Sequence, residues 1–387
     1  MPQIPRIPLT AAGALVLGLG VVGYVGGWQL GWVELMVVAA GCLLAAAIAL
    51  PFIVGRMRVD VSRLLDPPRV MVGDRAVAVL DVANPTGSPL RARTIEDAVD
   101  DRFVRVDVPG LAAGASHQTV YGLPTDRRGV ITVGPAVISR HDPLHIMRRE
   151  VRHADAQPFY VHPRYEPLAP LPVGFAKDLE GPTSDASPAG DVAFHALREY
   201  QPGDDFRHIH WMSTARVGSP MVRHYVDNRR PQLLVVLDDR RTSLDGPTFE
   251  VAMEVVASLG VSSLLHQEPL AIWTTSGPLV GRSKPGGRDD ILDRLAGAEP
   301  VDDGDLTAAV LTGIRAEAGT SAVVVVTGGL APVDLLPVVS QARRRARIIV
   351  VRTWPTGTID VGAVPGARII DIDDLDGFRH AWGRVAR

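Results

Sequence analysis

Two long apolar runs near the N-terminus place the strongest constraint on this chain. Residues 9–27 carry no charged side chain, and residues 33–55 carry only Glu34, at their edge. As a helix, the first run would be roughly 28 Å long at about 1.5 Å per residue, which is close to the hydrocarbon thickness of a bilayer. We therefore expect two membrane-spanning helices, joined by a loop whose Trp28 and Trp32 suit the headgroup level.

The charges that flank the two runs indicate an orientation. Arg6 precedes the first run, Arg56, Arg58 and Arg63 follow the second, and the loop between the runs has neither Lys nor Arg. Basic residues favour the cytoplasmic side of a membrane. We therefore predict a multi-pass protein of the cytoplasmic membrane with both termini and all soluble domains in the cytoplasm. The single cysteine, Cys42, leaves no internal disulfide, which agrees with a reducing compartment.

Two other interpretations of the first run find less support. A cleaved signal peptide over residues 1–27 would need a small-residue cleavage site, but no A-x-A sequence follows the run and a second spanning segment does. The glycines between Gly18 and Gly23 match the dinucleotide-binding pattern G-x-G-x-x-G. That match neither follows a predicted strand nor opens a βαβ unit. The sequence therefore favours a membrane hairpin.

The composition changes after the hairpin, over residues 59–165. Residues 76–83 have the length of a strand, their even positions are apolar, and Asp81 points the other way. Residues 103–108 alternate in the same manner, and residues 129–139 predict further short strands. Short strands at this spacing predict an antiparallel, immunoglobulin-like β-sandwich. Such a domain would serve either as a binding module or as a spacer.

A Pro/Gly/Ser-rich stretch, residues 166–190, predicts a linker to a second domain over residues 191–387. In that domain apolar runs alternate with segments of helical periodicity. The apolar runs are residues 233–237, 270–273, 322–326 and 347–351. This alternation predicts a doubly wound, mostly parallel sheet. Ligands of such sheets bind at the carboxyl ends of the strands, which makes Asp238, Asp239 and residues 327–329 the expected functional edge.

The densest concentration of charges, aromatic residues and turn formers lies before the first of these strands, at residues 194–225. Within it, Pro202 and Gly203 predict a tight turn. Asp204 or Asp205 then stands where a helix N-cap would open a short helix or an extended turn. If the charged side chains of this segment are partly buried, they must be paired, because an unpaired buried charge costs several kcal/mol of free energy.

This segment resembles the signature of the bacterial domain-of-unknown-function family 58. The residues that carry the resemblance are Arg198, Glu199, Tyr200, Gly203, Asp204, Asp205, Arg207, His210, Trp211, Ala215, Arg216 and Arg223. The resemblance implies a von Willebrand factor A-like fold and an association with MoxR-type AAA+ ATPases. It implies an architecture more than an activity. We therefore predict that these residues either brace the domain or present a surface to a partner.

Von Willebrand A domains often bind a divalent metal through a D-x-S-x-S motif after the first strand, with a Thr and an Asp from later loops. Here Asp238 and Thr242 fit that motif, and Thr327 follows a later strand. Two positions depart from it: Arg240 stands at the first Ser position, and Gly328 stands where the later Asp would be. Hard cations need several oxygen ligands. The sequence therefore leaves Asp238, Thr242 and Thr327 as degenerate candidates and predicts no cofactor. In the alternative, Asp238 pairs with a nearby arginine.

The overall prediction is a membrane-anchored, non-enzymatic interaction protein. Its net charge of −3 provides no strong field for nucleic acid, and it contains neither a G-x-S-x-G nor a Walker A motif. The expected partners are the lipid bilayer and, through the resemblance, a MoxR-type AAA+ ATPase in envelope-associated assembly or remodelling. The alternative is a metal-dependent hydrolase or other enzyme that uses His208, His210, Asp204 and Asp205.

Overall fold

The chain divides into two compact units, Met1–Val161 and His162–Arg387. The computed structural model describes residues 9–53, 59–171, 192–201, 204, 206, 209–227, 232–281, 287–317, 319–358 and 362–386. Each unit builds its own sheets from these residues.

The first unit opens with two helices, α1 (Ala11–Leu30) and α2 (Val33–Ile53), which confirm the two predicted apolar helices. Thr10 caps α1, because its side chain accepts a hydrogen bond from the N–H of Gly13 at 3.0 Å. Since α1 continues through Trp28, the connection between the helices is shorter than the loop that the sequence predicted.

Three described helices are long and apolar enough to cross a membrane by length and composition. In α1 and α2 only 17% of the most apolar window is buried, whereas in a third helix, α4 (Gly246–His266), 78% is buried within the second unit. Where α1 and α2 meet, a Cβ on Gly20 would lie 2.9 Å from the Leu43 side chain, so glycine permits the close approach of the two helices. The apolar outer surfaces of α1 and α2 indicate a membrane protein.

Two antiparallel sheets follow the helices in the first unit. Their strands are β1 (Asp60–Asp66), β2 (Arg69–Met71), β3 (Val77–Ala83), β4 (Arg93–Val99), β5 (Arg102–Val108), β6 (Ser116–Gly122), β7 (Gly129–His141), β8 (Arg148–Ala154) and β9 (Gln157–His162). One sheet has the order β1-β3-β6, and the other has the order β2-β9-β7-β4-β5, with β8 paired to β7. The single long strand β7 replaces the several short strands that the sequence predicted around Gly134.

The two sheets share a core of alternating side chains. On β3, Leu80 and Val82 are buried, and they pack in one cluster with Ile95 and Ile138 of the other sheet. Asp81 is exposed on the opposite face, as the alternation of the sequence predicted. This packing confirms antiparallel strands with one buried face in each sheet.

The second unit contains a two-stranded ribbon and a six-stranded sheet. Its strands are β10 (Val192–Glu199), β11 (Met221–Asp227), β12 (Leu233–Leu237), β13 (Leu270–Thr274), β14 (Gly277–Val280), β15 (Ala322–Gly328), β16 (Arg347–Thr353) and β17 (Ala367–Ile372). Besides α4, its helices are α3 (Trp211–Val217), α5 (Arg288–Ala296), α6 (Leu306–Ala316), α7 (Pro332–Ala342) and α8 (Leu375–Val385). The large sheet has the order β14-β13-β12-β15-β16-β17, with β14 antiparallel at one edge and the other strands parallel.

Helices cover both faces of this sheet. Buried side chains of α4, α5 and α8 form one core with the sheet, and those of α6 and α7 form another. All five residues of β12 are buried, which explains why the strand is a continuous apolar run. The chain leaves β12 toward β13 on one side and returns to β15 on the other, so a crevice opens between the carboxyl ends of β12 and β15.

The start of the predicted linker packs against this unit. Leu168 and Leu171 are buried in the same core as α4. The N–H of Glu166 donates to Ser258 Oγ at 3.0 Å, and the N–H of Leu168 donates to Ser262 Oγ at 2.9 Å. Residues 166–171 are therefore held along α4 by both packing and hydrogen bonds.

Candidate functional site

The signature residues lie on and between the strands of the two-stranded ribbon. β10 carries Arg198 and Glu199, β11 carries Arg223, and α3 lies between the two strands in the sequence. The sequence analysis missed both strands of this ribbon. Gly203, Asp205, Arg207 and His208 lie outside the described residues, as does the side chain of Arg223.

A bidentate ion pair closes the turn after β10. Arg198 Nη2 donates to Asp204 Oδ1 at 2.6 Å, and Arg198 Nη1 donates to Oδ2 at 2.8 Å. The backbone N–H of Gln201 also donates to Asp204 Oδ2, at 2.8 Å. The hydrogen bond to Asp204 raises the pKa of Arg198 above its ordinary value. The sequence analysis offered Asp204 or Asp205 as a helix N-cap. The carboxylate of Asp204 binds this turn instead, and Asp205 lies outside the described residues.

His210 is the residue that caps α3. Its Nδ1 accepts a hydrogen bond from the N–H of Ser213 at 3.3 Å and lies 2.7 Å from Ser213 Oγ. Its backbone N–H donates to the carbonyl of Met221 at 2.7 Å. Thr214 Oγ1 donates to the His210 carbonyl at 3.1 Å and accepts from the N–H of Met221 at 3.0 Å. These bonds fasten the short helix α3 to the start of β11.

The apolar side chains of this segment face outward. Trp211, Met212 and Val217 of α3 are 69%, 72% and 60% exposed, and no residue of α3 is buried. Ala215 and Arg216 are exposed on the same helix. Phe206 is 68% exposed and stacks on Tyr200 with ring centroids 5.3 Å apart. The signature is thus braced by internal hydrogen bonds while it presents large apolar groups to the surroundings.

A second group of polar side chains lies at the carboxyl ends of β12 and β15. Asp238 is fully buried there, and Arg240 donates to it twice, from Nε to Oδ1 at 2.7 Å and from Nη2 to Oδ2 at 2.8 Å. Thr327 Oγ1 donates to Asp238 Oδ2 at 2.8 Å. The hydrogen bond to Asp238 raises the pKa of Arg240. Arg240 is the nearby arginine that the alternative interpretation required.

Ser243, rather than the predicted Thr242, completes this group. Its Oγ lies 2.9 Å from Thr327 Oγ1 and accepts a hydrogen bond from the N–H of Gly328 at 3.2 Å. A Cβ on Gly328 would lie 1.8 Å from the carbonyl oxygen of Ser243, so this position admits only glycine without a shift of the backbone. The sequence showed a second hydroxyl residue, Ser243, beside Thr242. The spacing of the motif alone could not indicate which of the two side chains contacts Thr327.

A further ion pair at the same edge was also missed by the sequence analysis. Arg352, at the end of β16, is 1% exposed and donates to Asp371 of β17 from Nε at 2.7 Å and from Nη2 at 2.9 Å. Trp354 Nε1 also donates to Asp371, at 2.9 Å. Asp238 and Arg352 are therefore each buried beside a charged partner, whereas the buried Asp239 accepts hydrogen bonds from the N–H of Thr275 at 2.9 Å and from the Thr275 hydroxyl.

Four of the side chains proposed for a metal or for catalysis have partners within the second unit: Asp204, His210, Asp238 and Thr327. Asp204 binds Arg198, His210 caps α3, and Asp238 binds Arg240 and Thr327. Within the described part of the chain, no three His, Cys, Asp or Glu side chains gather closely enough to hold a metal ion together. The enzymatic alternative, which needs His208 and Asp205 as well, stays a prediction.

Residues 196–357 match the family model described as "Protein of unknown function DUF58". The DUF58 match contains α3 and its braces as well as the edge at Asp238 and Thr327. A similar curated protein is the uncharacterized protein YeaD of Bacillus subtilis (strain 168), with 25% identity over 210 residues. The alignment covers 51% of this chain and 51% of YeaD, so it spans about half the length of that relative.

Two solved structures illustrate distant likenesses. The CARDB domain of the PF1109 protein from Pyrococcus furiosus has 13% identity and a TM-score of 0.20, over 25% of this chain and 92% of that one. The putative ApaA protein from Bordetella pertussis has 15% identity and a TM-score of 0.20, over 27% of this chain and 91% of that one. At these TM-scores the likenesses carry no argument about fold or function.

Proposed function

We propose that this protein is a membrane-anchored, non-enzymatic adaptor whose α3 segment binds a MoxR-type AAA+ ATPase. Helices α1 and α2 would tether the protein in the cytoplasmic membrane, with both soluble units in the cytoplasm. The first unit would be an immunoglobulin-like spacer, and the second would be a von Willebrand A-like domain. The process served would be assembly or remodelling at the cell envelope.

The observation that carries this proposal is the outward presentation of Trp211 and Met212 by a braced helix. Exposed large apolar groups cost free energy in water, so a soluble surface rarely concentrates them without a partner. Here α3 is held at its first turn by His210 and at its base by Thr214, so its position is fixed before any partner arrives. Such pre-organisation lowers the entropy cost of binding.

The sheet edge supports an adaptor rather than an enzyme. At the crevice where an α/β sheet ordinarily holds its ligand, Asp238 is already neutralised by Arg240. The strand order of the sheet supports a von Willebrand A-like arrangement, and the resemblance of the signature supports the choice of ATPase. The ATPase as partner rests on that resemblance alone, and the binding experiment tests it directly.

The experiment uses the full chain in lipid nanodiscs and a purified MoxR-type ATPase from the same genome. We expect saturable binding by interferometry. The double substitution Trp211→Ser with Met212→Ser should weaken it at least about tenfold, because truncation of a central aromatic anchor costs about 2 kcal/mol or more. Melting should not change, since both side chains are exposed.

The matched control replaces two exposed apolar residues on another helix of the same unit. Val333 and Leu336 of α7 are 66% and 42% exposed, and Val333→Ser with Leu336→Ser should leave binding unchanged. Absence of binding by the unsubstituted protein would refute the choice of ATPase. Equal loss in both double variants would refute the assignment of α3 as the contact surface.

A further inference from the structure

The loop between β7 and β8, residues 142–147, packs directly on the two apolar helices of the first unit. Ile146 and Met147 of this loop are buried in a cluster with Ala49 of α2, and Val16 of α1 and Ala45 of α2 pack against that cluster. A loop of the β domain therefore contacts the helices that are long enough to span a membrane.

Hydrogen bonds fix the loop to the first turn of α1. Thr10 Oγ1 lies 2.7 Å from the carbonyl oxygen of His145 and 3.0 Å from that of Ile146, and the N–H of Thr10 donates to Ile146 at 3.1 Å. The same threonine side chain caps α1 through the N–H of Gly13. The capping residue of the helix is thus also the anchor of the loop.

The loop is also organised from within. Asp142 is buried, and its carboxylate accepts hydrogen bonds from the N–H groups of Leu144 at 2.8 Å and Met147 at 2.5 Å. Desolvation by itself would raise the pKa of Asp142, but these backbone hydrogen bonds outweigh it and lower the pKa below its ordinary value. The loop therefore keeps its shape as an anionic, internally capped turn.

This contact sets the depth of the loop relative to a bilayer. Val16 lies five residues after the first residue of α1, and Ala49 lies four residues before the last residue of α2. At about 1.5 Å per residue these positions are roughly 6 to 8 Å inside the ends of the apolar helices. In a bilayer spanned by α1 and α2, the loop would therefore lie where the hydrocarbon region gives way to the headgroups.

The exposed residues of the loop and of the adjoining strand suit that depth. Leu144 is 59% exposed. Arg148 and Arg149, the first residues of β8, are exposed as well. Arg148 pairs with Glu150 at 2.7 Å and with Glu96 at 3.4 Å. Arg149 follows it on the opposite face of the strand.

The sequence places further arginines at the same ends of the helices. Arg6 precedes α1, and Arg56 and Arg58 follow α2. Anionic phospholipids attract basic residues near a membrane surface. The charge at this end of the hairpin therefore complements an anionic leaflet.

We infer that the loop 142–147 and the start of β8 form a lipid-binding element, in which Leu144 enters the membrane interface and Arg148 and Arg149 bind anionic phospholipid headgroups. The β domain then holds a fixed position at the bilayer surface instead of swinging on a tether. This inference rests on the membrane-spanning role of α1 and α2, but it does not depend on the ATPase partner.

The test places an environment-sensitive fluorophore on the full-length protein in nanodiscs of phosphatidylcholine mixed with phosphatidylglycerol. One sample carries the label on the native Cys42 within α2, and the others carry it at Leu144→Cys or Phe103→Cys after Cys42→Ser. Phe103 is 70% exposed and pairs with Ala98 of β4, which lies level with residues 133–136 of β7. It is therefore about 25 Å from the loop along that strand. Spin-labelled phosphatidylcholine or phosphatidylglycerol then quenches each fluorophore.

We expect lipid quenching at positions 42 and 144 but not at 103, with stronger quenching at 144 by the spin-labelled phosphatidylglycerol. Arg148→Gln with Arg149→Gln should reduce that preference about tenfold, since each arginine near the surface contributes roughly a few-fold. The matched control, Arg102→Gln with Arg127→Gln, removes two exposed charges at the far end of the β domain and should leave the preference unchanged.

Each contrary result has a distinct meaning. Quenching at 42 without quenching at 144 overturns the inference while the membrane anchor stands. Absence of quenching at position 42 overturns both the lipid-binding element and the membrane-spanning role of α1 and α2. Equal quenching at 144 by the two lipids, or a preference that survives Arg148→Gln with Arg149→Gln, overturns the assignment of these arginines to anionic headgroups.

Discussion

Replacement of Arg240 by methionine tests whether the crevice of the large sheet is closed by an internal ion pair. Asp238 is fully buried, and two of the three described hydrogen bonds to its carboxylate come from Arg240, whose side chain is 24% exposed. Arg240→Met keeps much of the aliphatic part of the side chain. The carboxylate of Asp238 then retains only the hydrogen bond from Thr327 among those described. Removal of one partner from a buried pair costs about 3–5 kcal/mol.

That loss converts into a measurable change in melting. For a domain of this size, 1 kcal/mol shifts Tm by about 2–4 °C, so Arg240→Met should lower the Tm of the second unit by roughly 10 °C. The control is Arg241→Met. Arg241 is 59% exposed and pairs at 3.0 Å with Asp302, which is 86% exposed, so its loss should cost at most about 1 kcal/mol.

A double variant separates the ion pair from the lost packing. Asp238→Asn with Arg240→Met removes the buried negative charge and should recover most of the lost Tm, because no charge is then left without a partner. The measurement is thermal unfolding of the full chain in nanodiscs, followed by near-ultraviolet circular dichroism. Equal Tm values for Arg240→Met and Arg241→Met, or no recovery in the double variant, would refute the reasoning.

Two further predictions concern the first unit. Gly13→Ala would place a Cβ 1.9 Å from the carbonyl oxygen of Ile146, so it should displace the loop 142–147 and speed amide hydrogen exchange there. The control is Gly26→Ala, whose Cβ would have nothing within 4 Å and should not change the exchange. Equal exchange rates in the two variants would contradict the contact between α1 and the loop. Desolvation lowers the pKa of His153, so stability is full above its unfolded pKa of about 6.5 and falls as the pH drops below that value. Replacement of His153 by Gln should flatten this decline in pH-dependent melting, and replacement of the exposed His380 should not; a decline that persists unchanged without His153 would show that another group causes it.

The sequence predicted the elements whose pattern is uniform along the chain. The apolar runs of α1 and α2 and the buried strands β12 and β15 needed no tertiary information, because almost every residue in each of them is apolar. The ribbon of β10 and β11 was missed for the opposite reason. Its pairing shifts between Phe194 and Ala196, and such a bulge breaks the two-residue period that identifies a strand.

The capping of α3 shows why residue preferences at helix N-caps did not predict this part of the candidate site. Asp204 and Asp205 are better N-cap residues than His210 by type, and the sequence analysis expected one of the two to open the helix or turn. In the structure Arg198 takes the carboxylate of Asp204 with two hydrogen bonds. A charge-assisted bidentate bond is stronger than a single cap bond, so the tertiary contact decides which residue remains to cap the helix.

Contacts between side chains on different sheets are the hardest to predict from the sequence. Arg63 of β1 and Asp97 of β4 have fully buried side chains 3.1 Å apart, and Tyr121 of β6 donates to Asp97 at 2.7 Å. Arg63 lies on the same buried face of β1 as Val61 and Leu65. The sequence analysis treated it only as a basic residue that follows the second apolar run. The partner lies on another sheet, 34 residues away. Because a buried charge costs free energy unless it is paired, the ion pair between Arg63 and Asp97 favours the packing of the two sheets against each other in the domain that bears the proposed lipid-binding loop.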